Sequence, residues 1–242
     1  MSPYHERTYR RLSTGTGLVS CTVTVRESDL FISGDRDLSD PARRSLLKHR
    51  RIIEQYGREH PDFFSSLVPL REESALAPGI VKTMMDASRS AGVGPMASVA
   101  GALAEKVSRD LNGFSRTVIV ENGGDVFLIL EKGEARVSIF AGPSPLSCNV
   151  NLVLAAGKTP CAVCTSSATV GPSLSFGNAD AVCVVAASGA LADAVATALA
   201  NRVQDKHDIR RVLTEAKEID GVRGVVIIVG DALGAWGDVT LE

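Results

Sequence analysis

The stretch AVCVVAASGALADAVATALAN, residues 181–201, has two readings, and the choice between them decides the fold. Its unbroken run of small and branched apolar residues is long enough to suggest a membrane-spanning helix. Gly189 interrupts that run, and Asp193 would place a carboxyl inside it. The stretch divides better into a buried-type strand over AVCVVAAS, a turn at Gly189 and an Ala-rich helix. On that helix Asp193, Thr197 and Asn201 recur every four residues and share one face, opposite Leu191, Val195 and Leu199.

Working outward, strand and helix signals come in blocks. CTVTV and LFIS, around RESD, predict a hairpin within residues 19–34. A long helix follows, with Asp40 as N-cap, Pro41 at its first position and Gly57 at its end. Residues 60–79, with three prolines, read as a connecting loop. Helices are then expected from Ile80 to about Ser90, and from Pro95 to Asn112-Gly113. TVIVENGGDVFLIL, ARVSIFAG and SCNVNLVLAA predict four successive antiparallel strands, and residues 156–178, rich in Gly, Ser, Thr and Pro, an irregular loop. A polar helix over about 205–219 and one or two strands close the chain. Such grouping favours an α+β fold over a doubly wound one. ADAV occurs at 179–182 and again at 192–195, once before a strand and once in a helix, so the repetition reads as coincidence and no other repeat is expected.

At 242 residues, with 45% apolar and 22% charged residues, the chain has ordinary globular composition. A net charge of −2 and only 5% aromatics argue against a nucleic-acid partner and favour a small-molecule ligand. The polar start MSPYHERTYRRL lacks the apolar core of a secretory signal, so a soluble cytoplasmic protein is expected. Five cysteines do not suggest a disulfide scaffold; Cys161 and Cys164 form a lone C-x-x-C, best read as buried thiols. The four histidines are scattered and gain no role. The basic helix carrying Arg43, Arg44, Lys48, Arg50 and Arg51 reads as a solvated or interface face, which leaves room for a homo-oligomer.

Four constellations could carry chemistry, each beside a plainer reading. Asp193 and Thr197, one turn apart among alanines, could offer a carboxylate and a hydroxyl to a hard cation such as Mg²⁺, or line a solvated face. ENGGD, residues 121–125, makes a good hairpin turn; Gly123 and Gly124 could equally let the backbone approach a phosphate, with Asn122 and Asp125 as polar contacts. Thr165, Ser166 and Ser167 belong to a solvated loop or bind phosphate oxygens. Gly94 opens a helix whose N-terminus could meet an anion.

The order of Gly94 before an Ala-rich helix, VENGGDVFLI, CTSS and ADAVATALAN resembles the ApbE-like superfamily over roughly residues 75–240. Its characterised members are FAD:protein FMN transferases, and the chain is most similar to a shorter, functionally uncharacterised branch. The resemblance implies a single ApbE-like domain over 1–242, with a T-fold-like arrangement of antiparallel sheets packed with helices. It implies Mg²⁺ held by Asp193 and Thr197, with Asp193 the catalytic group. It places FAD against Asn122, Gly123, Gly124, Asp125, Thr165, Ser166, Ser167 and Gly94. The implied reaction is cleavage of the FAD pyrophosphate, with transfer of FMN to a Thr hydroxyl; a non-catalytic binding or structural protein on the same scaffold is the alternative. The chain departs from the transferases where they carry Lys-Gly, reading Ala97-Ser98-Val99, and where they carry Ser-His, with Leu174 at the histidine position.

Overall fold

The computed structural model describes residues 17–71, 76–168 and 176–242. Strands β1 (Val19–Val25) and β2 (Ser28–Gly34) form a hairpin whose turn is only Arg26 and Glu27. Helix α1 (Ser39–Glu59), a single-turn α2 (Asp62–Ser65) and α3 (Gly79–Ala91) follow. A 3-10 turn at Pro95–Ser98 runs into α4 (Val99–Leu111). Strands β3 (Val118–Asn122) and β4 (Asp125–Ile129) pair around Gly123-Gly124, and β5 (Glu134–Ser138) pairs with β6 (Asn151–Ala155). Then come β7 (Cys161–Ser166), β8 (Ala181–Ala186), α5 (Gly189–Ala200), α6 (Ile209–Ala216), β9 (Val222–Val229) and β10 (Ala232–Gly237).

Eight strands make one antiparallel sheet in the order β1-β2-β3-β4-β7-β8-β9-β10, and β5-β6 make a second, small sheet. Helices pack on one face of the large sheet, around Leu46, Met84, Val107, Phe127, Val195 and Ile227. The small sheet packs on the other, with Val137, Leu152 and Leu154 against Leu128, Val163, Val185 and Ile228. Burial therefore runs through β3, β4 and β8 without alternation, because both their faces are covered.

The observed α+β architecture agrees with the expected one, with four corrections. First, α1 begins at Ser39, where Asp37 Oδ1 accepts the Ser39 amide N–H at 2.9 Å; Asp40 lies inside the first turn instead of capping it. Second, α2 stands inside the expected loop. Third, β5 and β6 do not extend the β3–β4 hairpin. The free edge of β4 pairs instead with β7, in the register Asp125↔Cys164, and β7 lies in the region read as irregular. Strand character explains the exchange: EARVS alternates exposed and buried positions and suits a covering sheet, whereas CAVC is buried throughout and suits an interior strand.

The fourth correction concerns repetition. The large sheet splits at the β4–β7 seam into two halves, each made of a hairpin, helices on one face and a second hairpin. The equivalent helices carry GALAE at 101–105 and GALAD at 189–193, and the match continues through Val107/Val195 and Leu111/Leu199. α4 and α5 cross at Gly101 and Gly189, so closely that a Cβ on either glycine would collide with the carbonyl oxygen of the other. Each helix then holds the start of its neighbour. Glu105 Oε2 accepts the Gly189 N–H at 2.7 Å, and Asp193 Oδ2 accepts the Gly101 N–H at 2.9 Å.

Candidate functional site

Along α5 every residue is buried except Leu191 and the polar pair Asp193 and Thr197, which keep part of their surface accessible. Asn201, third in the stripe, serves a different purpose. Its Oδ1 accepts the Phe176 N–H at 2.9 Å and ties that residue to the end of the helix. The stripe thus divides into a strap at Asn201 and a corner at Asp193 and Thr197.

At the corner, Asp193 sits on the backbone N–H groups of Ala100 and Gly101, which steady its carboxylate without neutralising it. Burial pushes its pKa up to about 7, against the opposing pull of those two N–H groups. Asp125, deeper still, is pushed well above the ordinary carboxylate range by burial and by the neighbouring Asp193 charge. Cys164, hydrogen-bonded to Asp125, has its thiol pushed up by burial and then by the nearby Asp125 and Asp193 charges. Two carboxyls and a thiol therefore share a poorly solvated space with no Lys, Arg or His in an ion pair to either carboxyl among the described residues.

The strand pleat decides which expected residues join the corner. Asn122, Asp125, Cys164 and Ser166 fall on the helix-covered face, while Thr165 falls on the other and hydrogen-bonds Cys183. Asn122 Nδ2 donates to the Ala100 carbonyl at 3.1 Å, pinning the start of α4 over the β3–β4 turn. Gly123 and Gly124, with φ of +71° and +109°, form that turn, and Gly124 N–H donates to Glu121 Oε1 at 2.9 Å. Ser167, just past β7, is buried. Gly94 stands apart: a Cβ there would strike the Ser66 carbonyl, so close packing accounts for this glycine. The glycine of the first helix that meets Asp193 is Gly101, a few residues beyond the Ala97-Ser98-Val99 stretch. Leu174 and its serine-rich surroundings lie outside the described residues.

Beside the corner opens a cleft of about 540 Å³. Arg26, Glu27 and Ser28 of the first hairpin and Arg50, Ile53, Glu54 and Arg58 of α1 line it; so do Phe64, Met96, Val99, Ala100, Leu103 and Asn122. Ala100 and Asn122 join cleft to corner, since one adjoins Gly101 and the other precedes the turn to Asp125. The cleft escaped the sequence reading because its walls come from distant segments. Arg50, read as part of a solvated face, is mostly buried, its side chain 14% exposed. GALAE and GALAD were the available signal for the α4–α5 contact.

Among the described residues no three His, Cys, Asp or Glu side chains converge as a ready-made metal site. The corner fits a cation that takes few protein oxygens and fills its shell with water and phosphate. The repeat provides a comparison within the same chain. Glu105, equivalent to Asp193, is neutralised by Arg109 one turn on, with Nε to Oε1 at 2.8 Å. The residue one turn on from Asp193 is Thr197, a neutral oxygen donor in place of a guanidinium.

A family model described as "AbpE bacteria" matches residues 10–232. A UPF0280 protein of Methanocaldococcus jannaschii is 40% identical over 223 residues, covering 90% of both chains. Another, of Methanococcus aeolicus, is 37% identical over 223 residues, covering 90% of this chain and 89% of its own. Among solved structures, the flavin transferase ApbE from Vibrio cholerae superposes with a TM-score of 0.56 at 12% identity, covering 91% of this chain and 96% of its own. The ApbE protein from Thermotoga maritima gives 0.54 at 12% identity, covering 90% and 96%. At that identity the structural likeness establishes the fold. The sequence match establishes descent: the chain belongs to the family described as AbpE bacteria.

Proposed function

We propose that Asp193 and Thr197 hold a divalent cation, Mg²⁺ by the hardness of their oxygens, against the phosphates of a flavin nucleotide or similar phosphorylated ligand whose ring enters the cleft. One observation carries the reading: of two equivalent carboxylates, Glu105 has a built-in guanidinium and Asp193 has none among the described residues. When bound, the cation would neutralise charge building on the phosphoryl oxygens. The chain's own groups do the positioning. The Ala100 and Gly101 N–H groups fix the Asp193 carboxylate, and Asn122 holds the start of α4 beside the glycine turn. Asp125, pushed well above the ordinary carboxylate range by burial and by the Asp193 charge, lies beneath the corner and accepts hydrogen bonds from Cys164 and the Thr165 N–H.

The solved neighbours named as flavin transferases favour FAD as the first ligand to try, with hydrolysis of its pyrophosphate or transfer of FMN as the reaction. The test compares Mg²⁺-dependent thermal stabilisation by FAD in the wild type and in Asp193→Asn. Saturation at about a hundred times Kd should stabilise the wild type by about 2.7 kcal/mol, and the variant far less. An unchanged response in Asp193→Asn removes the cation corner. Release of AMP under the same conditions separates catalysis from binding: stabilisation without AMP leaves a non-catalytic site.

A further inference from the structure

The cleft wall formed by the first hairpin and α1 carries more positive charge than its own carboxylates consume. Glu54 is fully engaged: Oε2 accepts from Arg26 at 2.9 Å and Oε1 from Arg50 at 3.0 Å. Glu27 Oε2 accepts from Arg50 at 2.6 Å, and Ser28 Oγ accepts from the same guanidinium at 2.6 Å. Arg58 stands four residues after Glu54, the spacing at which Glu and Arg ordinarily pair on a helix. Because Glu54 is committed to Arg26 and Arg50, the Arg58 guanidinium has no ion pair among the described residues, and it lines the cleft.

Two further details fit a wall built to receive an anion. Arg26 occupies the turn with φ of +53°, a conformation that Gly or Asn adopts more easily, and its side chain takes Glu54 Oε2, the partner that Arg58 would find at i−4. Arg50 Nε is buried without a hydrogen-bond partner, although both its terminal nitrogens are satisfied. The floor differs in character: Ile53, Phe64, Met96, Val99 and Leu103 offer an apolar bed to a flat ring. The last-turn position of Arg58 also suits the dipole of α1, but an exposed cation there needs no cleft and no diverted glutamate.

We infer that the ligand is a ring-bearing nucleotide with an acidic substituent on the ring, a carboxylate or phosphate, which pairs with the Arg58 fork. This deepens the reading of cleft and corner as one ligand site and rests on it. A guanidinium suits such a group because its parallel N–H donors match two oxygens at once.

Nicotinic acid adenine dinucleotide and nicotinamide adenine dinucleotide make a clean pair, sharing a pyrophosphate and differing only in carboxylate against carboxamide on the ring. Their affinities would be measured by calorimetry with Mg²⁺, with FAD as a third probe. The wild type is expected to favour the acid by about tenfold, the scale of one charge-assisted contact. Arg58→Gln should bring the ratio to one, while Asp193→Asn should weaken both dinucleotides and leave the ratio standing. Melting curves of each variant confirm that it is folded. Equal affinity for acid and amide alongside Mg²⁺-dependent FAD binding overturns the inference and spares the corner. A preference that survives Arg58→Gln also overturns it. If none of the three probes binds with Mg²⁺, the reading beneath it falls as well.

Discussion

His49 shows how much one residue's setting decides. It is buried on α1, with Nε2 3.0 Å from Asp110 Oδ2, while Ser45 Oγ donates to the same oxygen at 2.9 Å. Its Nδ1 is buried without a partner. Burial lowers its pKa below the ordinary 6.5, outweighing the opposite pull of Asp110; Lys48 and Lys106 add to the lowering. The folded state thus prefers the neutral ring. Its contribution to stability is complete above pH 6.5 and is lost as pH falls through the depressed folded value, because the unfolded chain takes up the proton first. Between about pH 7.5 and about pH 5.5 this loss runs against the gain from protonating Asp193 and Asp125, whose pKa values are raised. His49→Gln should therefore shift the melting temperature at about pH 5.5 upward relative to that at about pH 7.5, compared with the wild type. An identical pH profile in the variant would assign the loss to other groups. None of this could be read from SLLKHRRI, where His49 stands in a charged context.

At the scale of elements, the α4–α5 crossing is decided by competing magnitudes. Alanine would favour each helix over glycine by about 1 kcal/mol in isolation. Glycine is kept at 101 and 189 because a methyl group there would drive two backbones apart, at a cost of roughly 1–3 kcal/mol or more. The two acids reinforce the contact, and the positions one turn beyond them separate their roles. Thr197→Arg should let α5 copy α4, placing a guanidinium on Asp193 as Arg109 sits on Glu105. The expected result is a rise in ligand-free stability of roughly 1 kcal/mol, or about 2–4 °C for a chain of this size, with loss of the response to Mg²⁺. Retention of the Mg²⁺ response would separate the cation from Asp193. Arg109 also lies over the Phe127 ring, 5.2 Å from its centroid, so the first corner is closed by packing as well as by charge.

Across the whole molecule, stability should follow the layering. Strands β3, β4, β7 and β8 are covered by helices on one side and by the small sheet on the other, whereas β1 and β10 are edges, with Val19 and Leu233 among the exposed apolar side chains. Native-state hydrogen exchange followed by mass spectrometry should find the slowest amides at the β4–β7 seam and the fastest among strands at β1 and β10. Uniform protection, or slow edges, would contradict that layering or indicate that an edge is paired in solution. Among the described residues no helix is long and apolar enough to cross a membrane, so the strand–turn–helix reading of 181–201 stands.

That stretch by itself determined a good deal. A glycine between an apolar run and an alternating one is local information, and so is Asn-Gly-Gly between two strands; these placed the β8–α5 unit and the β3–β4 turn, whereas Pro95, expected to open a helix, opens a 3-10 turn and α4 begins at Val99. Helical spacing likewise put Asp193 and Thr197 on one face. Tertiary structure alone decided that β4 would take β7 and leave β5 to a separate sheet, because partner choice depends on which strand can bury both faces. The Glu105–Arg109 pair is local, i to i+4, but tertiary structure alone set it against Asp193, which has no cation among the described residues, because the matching sequences lie 88 residues apart and acquire meaning only where their glycines touch. It also assembled the arginine-lined cleft from four separate segments. A charge in a sequence has no partner until the chain has folded, and the surplus at Arg58 and the deficit at Asp193 are properties of that folded pairing.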